Sequence, residues 1–199
     1  MKRIILASKS TDRSEILKRV GISFDILITN VNEEEFKRKI SNPIELVREL
    51  AKQKALNAKN KLLSRNDACI IIGADTIVEF EGEIIGKAKN ENDAFNILKK
   101  LQGITHSLIT GIAVTELRSP KIIIDHNSTR VTFLSLSDEE IWAYIKSGEW
   151  KGRAGAYSIR EKAAIFVDFI VGSSSNVMGL PLNKLFTILK KDFNLNLLT

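Results

Sequence analysis

Cysteine, proline and low-complexity sequence are scarce in this chain, and each scarcity excludes a class of protein. The chain has one cysteine, Cys69, among 199 residues, so an intramolecular disulfide and a disulfide-stapled fold are excluded. Cys69 lies in an apolar run and is expected to be an inert buried thiol. Three prolines cannot make a proline-rich linker, and no internal repeat divides the chain. A single domain covering 1–199 is therefore predicted.

Histidines and aromatic residues are also few. The two histidines, His106 and His126, stand alone and lack the spacing of a zinc site. Aromatic residues make up only 7% of the chain, and the basic residues behind its net charge of +6 are scattered. Nucleic-acid binding usually needs clustered basic residues or an aromatic stacking platform. No nucleic-acid partner is expected.

Long hydrophobic runs are missing as well. No segment approaches the roughly 20 apolar residues of a membrane-spanning helix, so no membrane partner is expected. The first eight residues become polar too soon for a signal peptide and are expected to enter the first strand directly. With 44% hydrophobic and 27% charged residues, the composition is that of an ordinary globular protein. A cytoplasmic location follows as an expectation.

Predicted strands and helices alternate along the chain. Two helix starts carry strong local signals: Asn42-Pro43 supplies an N-cap and a proline in the first turn, and Ser137 with Glu140 forms a capping box. Strands are predicted at 3–7, 24–29, 69–80, 83–85, 104–117, 122–136 and 163–171, and helices at 13–20, 43–62, 94–101, 137–146 and 181–189. The pattern predicts an α/β fold with a mixed β-sheet flanked by helices.

The run 69–78 contains a carboxylate, Asp75, inside an otherwise apolar predicted strand. An ionised carboxylate is costly to bury without a partner, so Asp75 should meet a cation, several hydrogen bonds or a solvated cleft. A rigidly held aspartate of this kind can bind Mg²⁺ against a substrate phosphate. The alternative is an aspartate that caps a turn at the end of the strand.

Three further features are consistent with a polyphosphate ligand. Residues 8–13 join a strand to a helix, where free backbone N–H groups favour an anion. The signal is weak alone, because the serine, threonine and aspartate side chains in this segment are also ordinary helix caps. Lys54 and Lys87 could place point charges on phosphates, and Lys54 could equally be a lysine whose stem covers the core edge. Glu33, together with Asp75, could hold a divalent ion, or it could belong to a solvated acidic surface.

These residues carry a resemblance to the Maf family of nucleoside triphosphate pyrophosphatases over nearly the whole chain. The motifs that resemble the family, in order, are Leu6-Ala7-Ser8-x-Ser10-x-x-Arg13-x-Glu15-Ile16-Leu17, Gly73-Ala74-Asp75-Thr76-Ile77-Val78, Gly86-Lys87, Thr110-Gly111, Ala154-Gly155-Ala156-Tyr157-x-Ile159 and Asn176-Val177-Met178-Gly179-Leu180-Pro181-Leu182. One motif would be modest evidence, whereas the ordered set is highly specific.

The resemblance implies a fold of two lobes around one central active-site cleft, related to the inosine triphosphate pyrophosphatases, and commonly a homodimer. It implies hydrolysis between the α and β phosphates, with Mg²⁺ or Mn²⁺ as cofactor and Asp75 and Glu33 as metal-associated carboxylates. The catalytic residues implied are Asp75, Glu33, Lys54 and Lys87. The substrate-binding positions implied are Ser8, Ser10, Asp12, Arg13, Thr76 and Arg160. The forms Ala74-Asp75-Thr76 and Ala154-Gly155-Ala156-Tyr157 resemble the branch acting on dTTP, UTP and modified pyrimidine nucleotides.

The chain departs from the family pattern at three positions. Thr11-Asp12 stands where the family has Pro-Arg, Arg160 where the pyrimidine branch has glutamine, and Ala88 where the family has proline. An acid at 12 and a base at 160 could pair with each other, or they could be two unrelated surface changes. Other nucleotide substrates, purine or modified, therefore remain as an alternative. A non-catalytic regulator is a second alternative, because the family resemblance also implies an association with septum formation and cell division.

Overall fold

The computed structural model describes residues 2–65 and 67–198. The chain divides into two compact units. Unit 1 consists of Met1–Asp75, Thr110–Asn127 and Gly179–Thr199, and unit 2 consists of Thr76–Ile109 and Ser128–Met178. Both units are therefore assembled from segments that are distant in the sequence.

The strands form a mixed sheet, which confirms the predicted α/β class. They are β1 (Arg3–Ala7), β2 (Asp25–Ile26), β3 (Cys69–Phe80), β4 (Glu83–Ile85), β5 (Thr105–Glu116), β6 (Ile122–Phe133) and β7 (Val167–Val171). Their order is β2-β1-β3-β5-β6-β7, with β4 paired to β3. Strand β1 runs parallel to β2 and β3, whereas β3–β4 and β6–β7 are antiparallel pairs.

The helices begin where the local signals predict for the two best-capped segments. They are α1 (Thr11–Arg19), α2 (Glu33–Lys39), α3 (Pro43–Lys61), α4 (Glu91–Leu101), α5 (Asp138–Ile145), α6 (Ser174–Val177) and α7 (Leu182–Asp192), with a 3₁₀ turn at Lys162–Ile165. The Asn42 side chain accepts hydrogen bonds from two backbone N–H groups of α3, and Ser137 and Glu140 make the capping box of α5. Within the described part of the chain, no helix has the length and apolar character needed to cross a bilayer.

Three predicted segments differ from the structure. The strand predicted at 24–29 is reduced to Asp25–Ile26, and the strand predicted at 163–171 begins as a 3₁₀ turn before β7. The polar turn expected after Val171 contains the short helix α6. Each of these segments has a mixed pattern, which leaves the boundary to packing rather than to local preference.

Helix α2 was not predicted, because it buries no residue and so shows no apolar periodicity. Its first turn carries Glu33, Glu34 and Glu35, and its last turn carries three basic residues. This arrangement complements the helix dipole at both ends. Ion pairs of Lys37 with Glu34 and of Lys39 with Glu35 add local support.

In unit 1, helix α3 lies with its backbone directly against the sheet. A Cβ atom added to Gly73 on β3 would overlap the carbonyl oxygen of Ala51, and one added to Gly111 on β5 would overlap the carbonyl of Val47. Glycine at both positions therefore allows a close approach that a larger residue would prevent. This packing brings the side chain of Lys54, one turn further along α3, to the level of Asp75.

The core of unit 2 contains an aromatic group beneath α4 and α5. The Phe133 ring makes edge-to-face contacts with Phe166, Tyr157 and His106, at centroid distances of 5.0, 4.7 and 4.8 Å. Tyr144 on α5 packs edge-to-face on Phe166 at 5.1 Å. These rings are nearly inaccessible to solvent, so they hold the strands and helices of this unit in fixed relative positions.

Candidate active site

The turn that follows β1 carries a buried arginine with fixed hydrogen bonds. Arg13 is only 8% exposed. Its Nε donates to the carbonyl oxygen of Gly179 at 2.6 Å, and its Nη1 donates to Ser8 Oγ at 3.0 Å. The backbone N–H of Ser10, at the start of α1, also donates to Ser8 Oγ, at 3.1 Å. These hydrogen bonds therefore link the turn, the Arg13 side chain and the start of α1.

Nearby carboxylates partly offset the cost of burying the Arg13 guanidinium. Burial lowers the pKa of Arg13, while the negative charges of Asp75 and Glu33 act in the opposite direction. A guanidinium keeps its proton in proteins even so, because its ordinary pKa is far above neutrality. A permanent positive charge thus lies near the carboxylates of Asp75 and Glu33.

A lysine ammonium group lies between those two carboxylates. Lys54 Nζ is 2.5 Å from Asp75 Oδ1 and 2.8 Å from Glu33 Oε1. The side chains of Lys54 and Asp75 are 11% and 10% exposed, and that of Glu33 is 32% exposed. Three elements, α3, β3 and α2, are joined by these contacts. The structure shows Lys54 paired with these two carboxylates, and its role at a phosphate stays a prediction.

The sheet register explains why Asp75 and Ser8 belong to one region. Strands β1 and β3 are parallel, with Ala7 opposite Gly73 at the last pair of the ladder. Ser8 is the first residue after β1, and Asp75 lies two residues after Gly73 on β3. Both residues therefore lie beyond the carboxyl end of β1. In α/β sheets, ligands bind outside the carboxyl ends of parallel strands. The strand-to-helix turn at 8–13 adds the N-terminus of α1, which favours anions.

The carboxylates of Asp75 and Glu33 are the residues of this site that could hold a divalent ion. Each of them contacts Lys54 through one carboxylate oxygen. The described residues include no group of three or more His, Cys, Asp or Glu side chains suited to a metal. Mg²⁺ does not require such a group, because it usually takes one or two carboxylates together with substrate phosphates and water.

The remaining predicted site residues are distributed over both units. Asp12 lies in the first turn of α1 in unit 1, where a carboxylate interacts favourably with the helix dipole. Thr76, Lys87 and Arg160 belong to unit 2. Thr76 follows Asp75 on β3 and is half-buried, as is Arg160, whereas Lys87 is exposed. Lys87 pairs with Ala154 in an isolated antiparallel bridge.

Sequence reasoning assigned no role to Gly179, which contacts the site through its backbone. Its carbonyl oxygen is the acceptor for Arg13 Nε, across 166 positions of sequence. Its φ angle of 95° lies in the region that favours glycine. The only sequence signal was the presence of this glycine in the last motif, 176–182, where nothing indicated its partner.

One solved structure offers a weak similarity. It is described as a nucleoside-triphosphatase / dITP/XTP pyrophosphatase from Mycobacterium abscessus, with 12% sequence identity and a TM-score of 0.32. The match covers 66% of this chain and 72% of that one. A similarity at this level supports no conclusion, and the expected relation to the inosine triphosphate pyrophosphatases stays a prediction.

Sequence comparison gives a much stronger result. The chain is 48% identical over 198 residues to a dTTP/UTP pyrophosphatase of Alkaliphilus metalliredigens, a match that covers 100% of both chains. It is 45% identical over 197 residues to a dTTP/UTP pyrophosphatase of Aquifex aeolicus, covering 98% of this chain and 97% of that one. The family model described as Maf-like protein matches residues 3–192. Together with the ordered motifs and the Asp75–Lys54–Glu33 arrangement, these matches lead to one conclusion: the chain belongs to the Maf-like family.

Proposed function

We propose that this protein is a nucleoside triphosphate pyrophosphatase that hydrolyses dTTP and UTP between the α and β phosphates. The products are a nucleoside monophosphate and pyrophosphate. The observation that carries the proposal is the Lys54 ammonium held between Asp75 and Glu33, with the buried cation of Arg13 nearby. Relatives 42–48% identical over the whole chain and named dTTP/UTP pyrophosphatase support it.

Binding of the triphosphate uses the cations and the helix start. Arg13, fixed by Ser8 and Gly179, and the N-terminus of α1 bind phosphate oxygens. The family resemblance assigns Lys54 and Lys87 to phosphate binding, where positive charge stabilises the negative charge that accumulates on a departing pyrophosphate. The site needs no nucleophilic side chain, because positioning and electrostatics carry most of the catalytic effect in phosphoryl chemistry.

Asp75 supplies the acid–base step. Its carboxylate orients a water molecule and accepts a proton as the water oxygen forms a bond to the α phosphorus. The bond from that phosphorus to the α–β bridging oxygen breaks, and pyrophosphate departs with the bonding electrons. Lys54 keeps the carboxylate in one orientation through the contact at 2.5 Å, which preserves the alignment that such a step needs.

Mg²⁺ or Mn²⁺ is part of the proposal, with Asp75 and Glu33 as its protein ligands. When bound, the ion supplies neutralisation of phosphate charge and polarises the phosphorus–oxygen bonds. The donor set of two carboxylates agrees with the preference of Mg²⁺ for oxygen ligands. Lys54, which contacts both carboxylates, keeps them close together before the ion and substrate arrive.

The test is a product analysis with the purified protein, Mg²⁺ or Mn²⁺ and a panel of pyrimidine, purine and modified nucleoside triphosphates. We expect equal amounts of monophosphate and pyrophosphate, with dTTP and UTP among the best substrates. Diphosphate with inorganic phosphate would contradict hydrolysis at the α phosphorus. Binding without turnover of any nucleotide would favour the alternative of a non-catalytic regulator.

We further propose, on the family resemblance alone, that the protein acts in the cytoplasm as a homodimer. Light scattering coupled to gel filtration tests the oligomeric state, and cell fractionation tests the compartment. A monomer at micromolar concentration would contradict the dimer.

A further inference from the structure

A short turn in unit 2 fixes the backbone around Lys87. Ala154 forms the antiparallel bridge with Lys87, and the N–H of Gly155 donates to the carbonyl oxygen of Gly86 at 3.1 Å. The path of residues 153–157, here called the 153–157 turn, therefore determines where the Gly86-Lys87 segment lies. Because the two segments share these backbone contacts, we expect a displacement of the turn to displace Lys87.

The 153–157 turn adopts a conformation that its own sequence does not favour. Gly155 and Ala156 both have positive φ angles, of 67° and 59°. A Cβ atom at Gly155 would lie 2.7 Å from Val78 Cγ2, and Ala156 is fully buried. An alanine with positive φ is disfavoured and persists only where the surroundings over-determine it. Something outside the turn must hold it.

Tyr157, at the end of this turn, is the anchor. Its side chain is buried, and its ring makes edge-to-face contacts with Phe133 and with His106. A hydrogen bond of 2.8 Å joins the Tyr157 hydroxyl to His106 Nε2 on β5. The Tyr157 hydroxyl therefore makes its hydrogen bond inside the core of unit 2. This bond attaches the end of the turn to strand β5.

The histidine in this pair is costly to bury. His106 is 2% exposed, and its Nδ1 has no hydrogen-bond partner in the described part of the chain. Burial lowers the pKa of His106 to about 4 and raises that of Tyr157, so both groups are neutral near pH 7. A buried polar atom left unsatisfied needs an explanation beyond stability, since an apolar residue would fill this space at lower cost.

We infer that Tyr157 and His106 are positioning residues, which hold the 153–157 turn and, through it, Lys87 in the geometry that phosphate binding requires. The inference rests on the proposed function for the role of Lys87 and adds two residues that touch no substrate. It also assigns the tyrosine of the Ala154–Tyr157 motif to the core of unit 2 rather than to recognition of the nucleotide base.

The first experiment removes only the phenol oxygen, in Tyr157→Phe. We expect kcat/KM to fall about tenfold to a hundredfold, because displacement of a binding group by about 1 Å has effects of this size. In a Lys87→Ala background the same substitution should cause no further loss, since residues that act through one group are not additive. Equal losses in both backgrounds would overturn the inference.

A matched control separates positioning from stability. Ser137→Ala removes the capping box of α5 in the same unit and destabilises the fold without touching the 153–157 turn. It should lower the melting temperature and leave kcat/KM unchanged. His106→Gln, whose amide can still reach the phenol, should retain more of kcat/KM than His106→Leu. Equal activity in the two His106 variants would contradict a role for this hydrogen bond.

Amide hydrogen exchange tests the same inference without relying on activity. In Tyr157→Phe, the Gly155 N–H should exchange at least about tenfold faster than in the wild type, while amides of the core strand β6 keep their relative protection. If the wild type hydrolyses no nucleotide, the proposed function fails, and this measurement still decides whether the pair holds the turn. Unchanged exchange at Gly155 would overturn the inference.

Discussion

The carboxylate of Asp75 is the single group on which the proposed chemistry depends most. Asp75→Asn keeps the shape of the side chain but removes its charge, so it can neither accept a proton nor bind a cation well. We expect kcat to fall by about two orders of magnitude or more, the usual size for a general base, with little change in melting temperature.

A second aspartate provides the control for that substitution. Asp125 forms an ion pair with Lys184 at 2.7 Å in the same unit and is also partly buried. Asp125→Asn should leave kcat within about twofold, because a partly exposed pair contributes little. If Asp75→Asn behaves like Asp125→Asn, with unchanged metal dependence, Asp75 is structural.

Gly179 allows a test of how Arg13 is oriented. In Gly179→Ala, the φ angle of 95° becomes unfavourable, and relief of this strain rotates the carbonyl away from Arg13 Nε. We expect KM for the triphosphate to rise about tenfold. Gly21→Ala is the control, since Gly21 has a φ angle of 71° with open space around it. It should cost about 1 kcal/mol of stability and leave KM unchanged; a rise in both variants would contradict the role of Gly179.

His106 makes the stability of the protein depend on pH. Its pKa is about 4 in the folded chain and about 6.5 when unfolded. Between these values the unfolded state binds the proton and the folded state does not, so stability is lost as the pH falls from 6.5 toward 4. The loss amounts to about 3 kcal/mol at most. The melting temperature of the wild type should therefore fall more steeply than that of His106→Leu as the pH decreases across this range, and parallel curves would contradict the prediction.

At the scale of elements, an ion pair of Glu33 joins helix α2 to helix α3. The helix buries no residue of its own, and Glu33 contacts Lys54 at 2.8 Å. Lys54→Met removes this contact while keeping the length of the side chain. We expect amides of α2 to exchange at least about tenfold faster, because a hydrogen bond to a charged group contributes about 1.5 kcal/mol or more. Lys52→Met, on the same helix, removes the ion pair of Lys52 with Glu49 and should leave that exchange unchanged.

At the scale of the whole molecule, the two departures from the family pattern test coupling between distant parts of the chain. Asp12 belongs to unit 1 and Arg160 to unit 2, and their pairing stays a prediction from the sequence. It predicts that Asp12→Ala and Arg160→Ala are non-additive in kcat/KM, by roughly 0.5–3 kcal/mol. Asp12→Arg alone should then lower activity, and adding Arg160→Gln should restore part of it. Additive losses would identify two unrelated substitutions.

Several parts of the fold and site could be predicted because their causes are local. Helix α3 begins at Pro43, as predicted, because Asn42 and Pro43 satisfy its first turn with neighbours in sequence. Strand β3 follows from a run of apolar residues. Asp75 could be selected for the same reason, since a charge within such a run is anomalous wherever the rest of the chain lies.

The tertiary structure decided which of several similar residues belong to the site. Lys52, Lys54 and Lys59 share one helix, and only the packing of α3 on Gly73 brings Lys54 to Asp75. Glu33 is one of three consecutive glutamates, and its pairing with Lys54 depends on the path of the chain after β2. The contact of Arg13 with Gly179 spans most of the sequence. Local propensities and apolar periodicity are properties of neighbouring residues, whereas these contacts exist only after the sheet has fixed distant segments side by side.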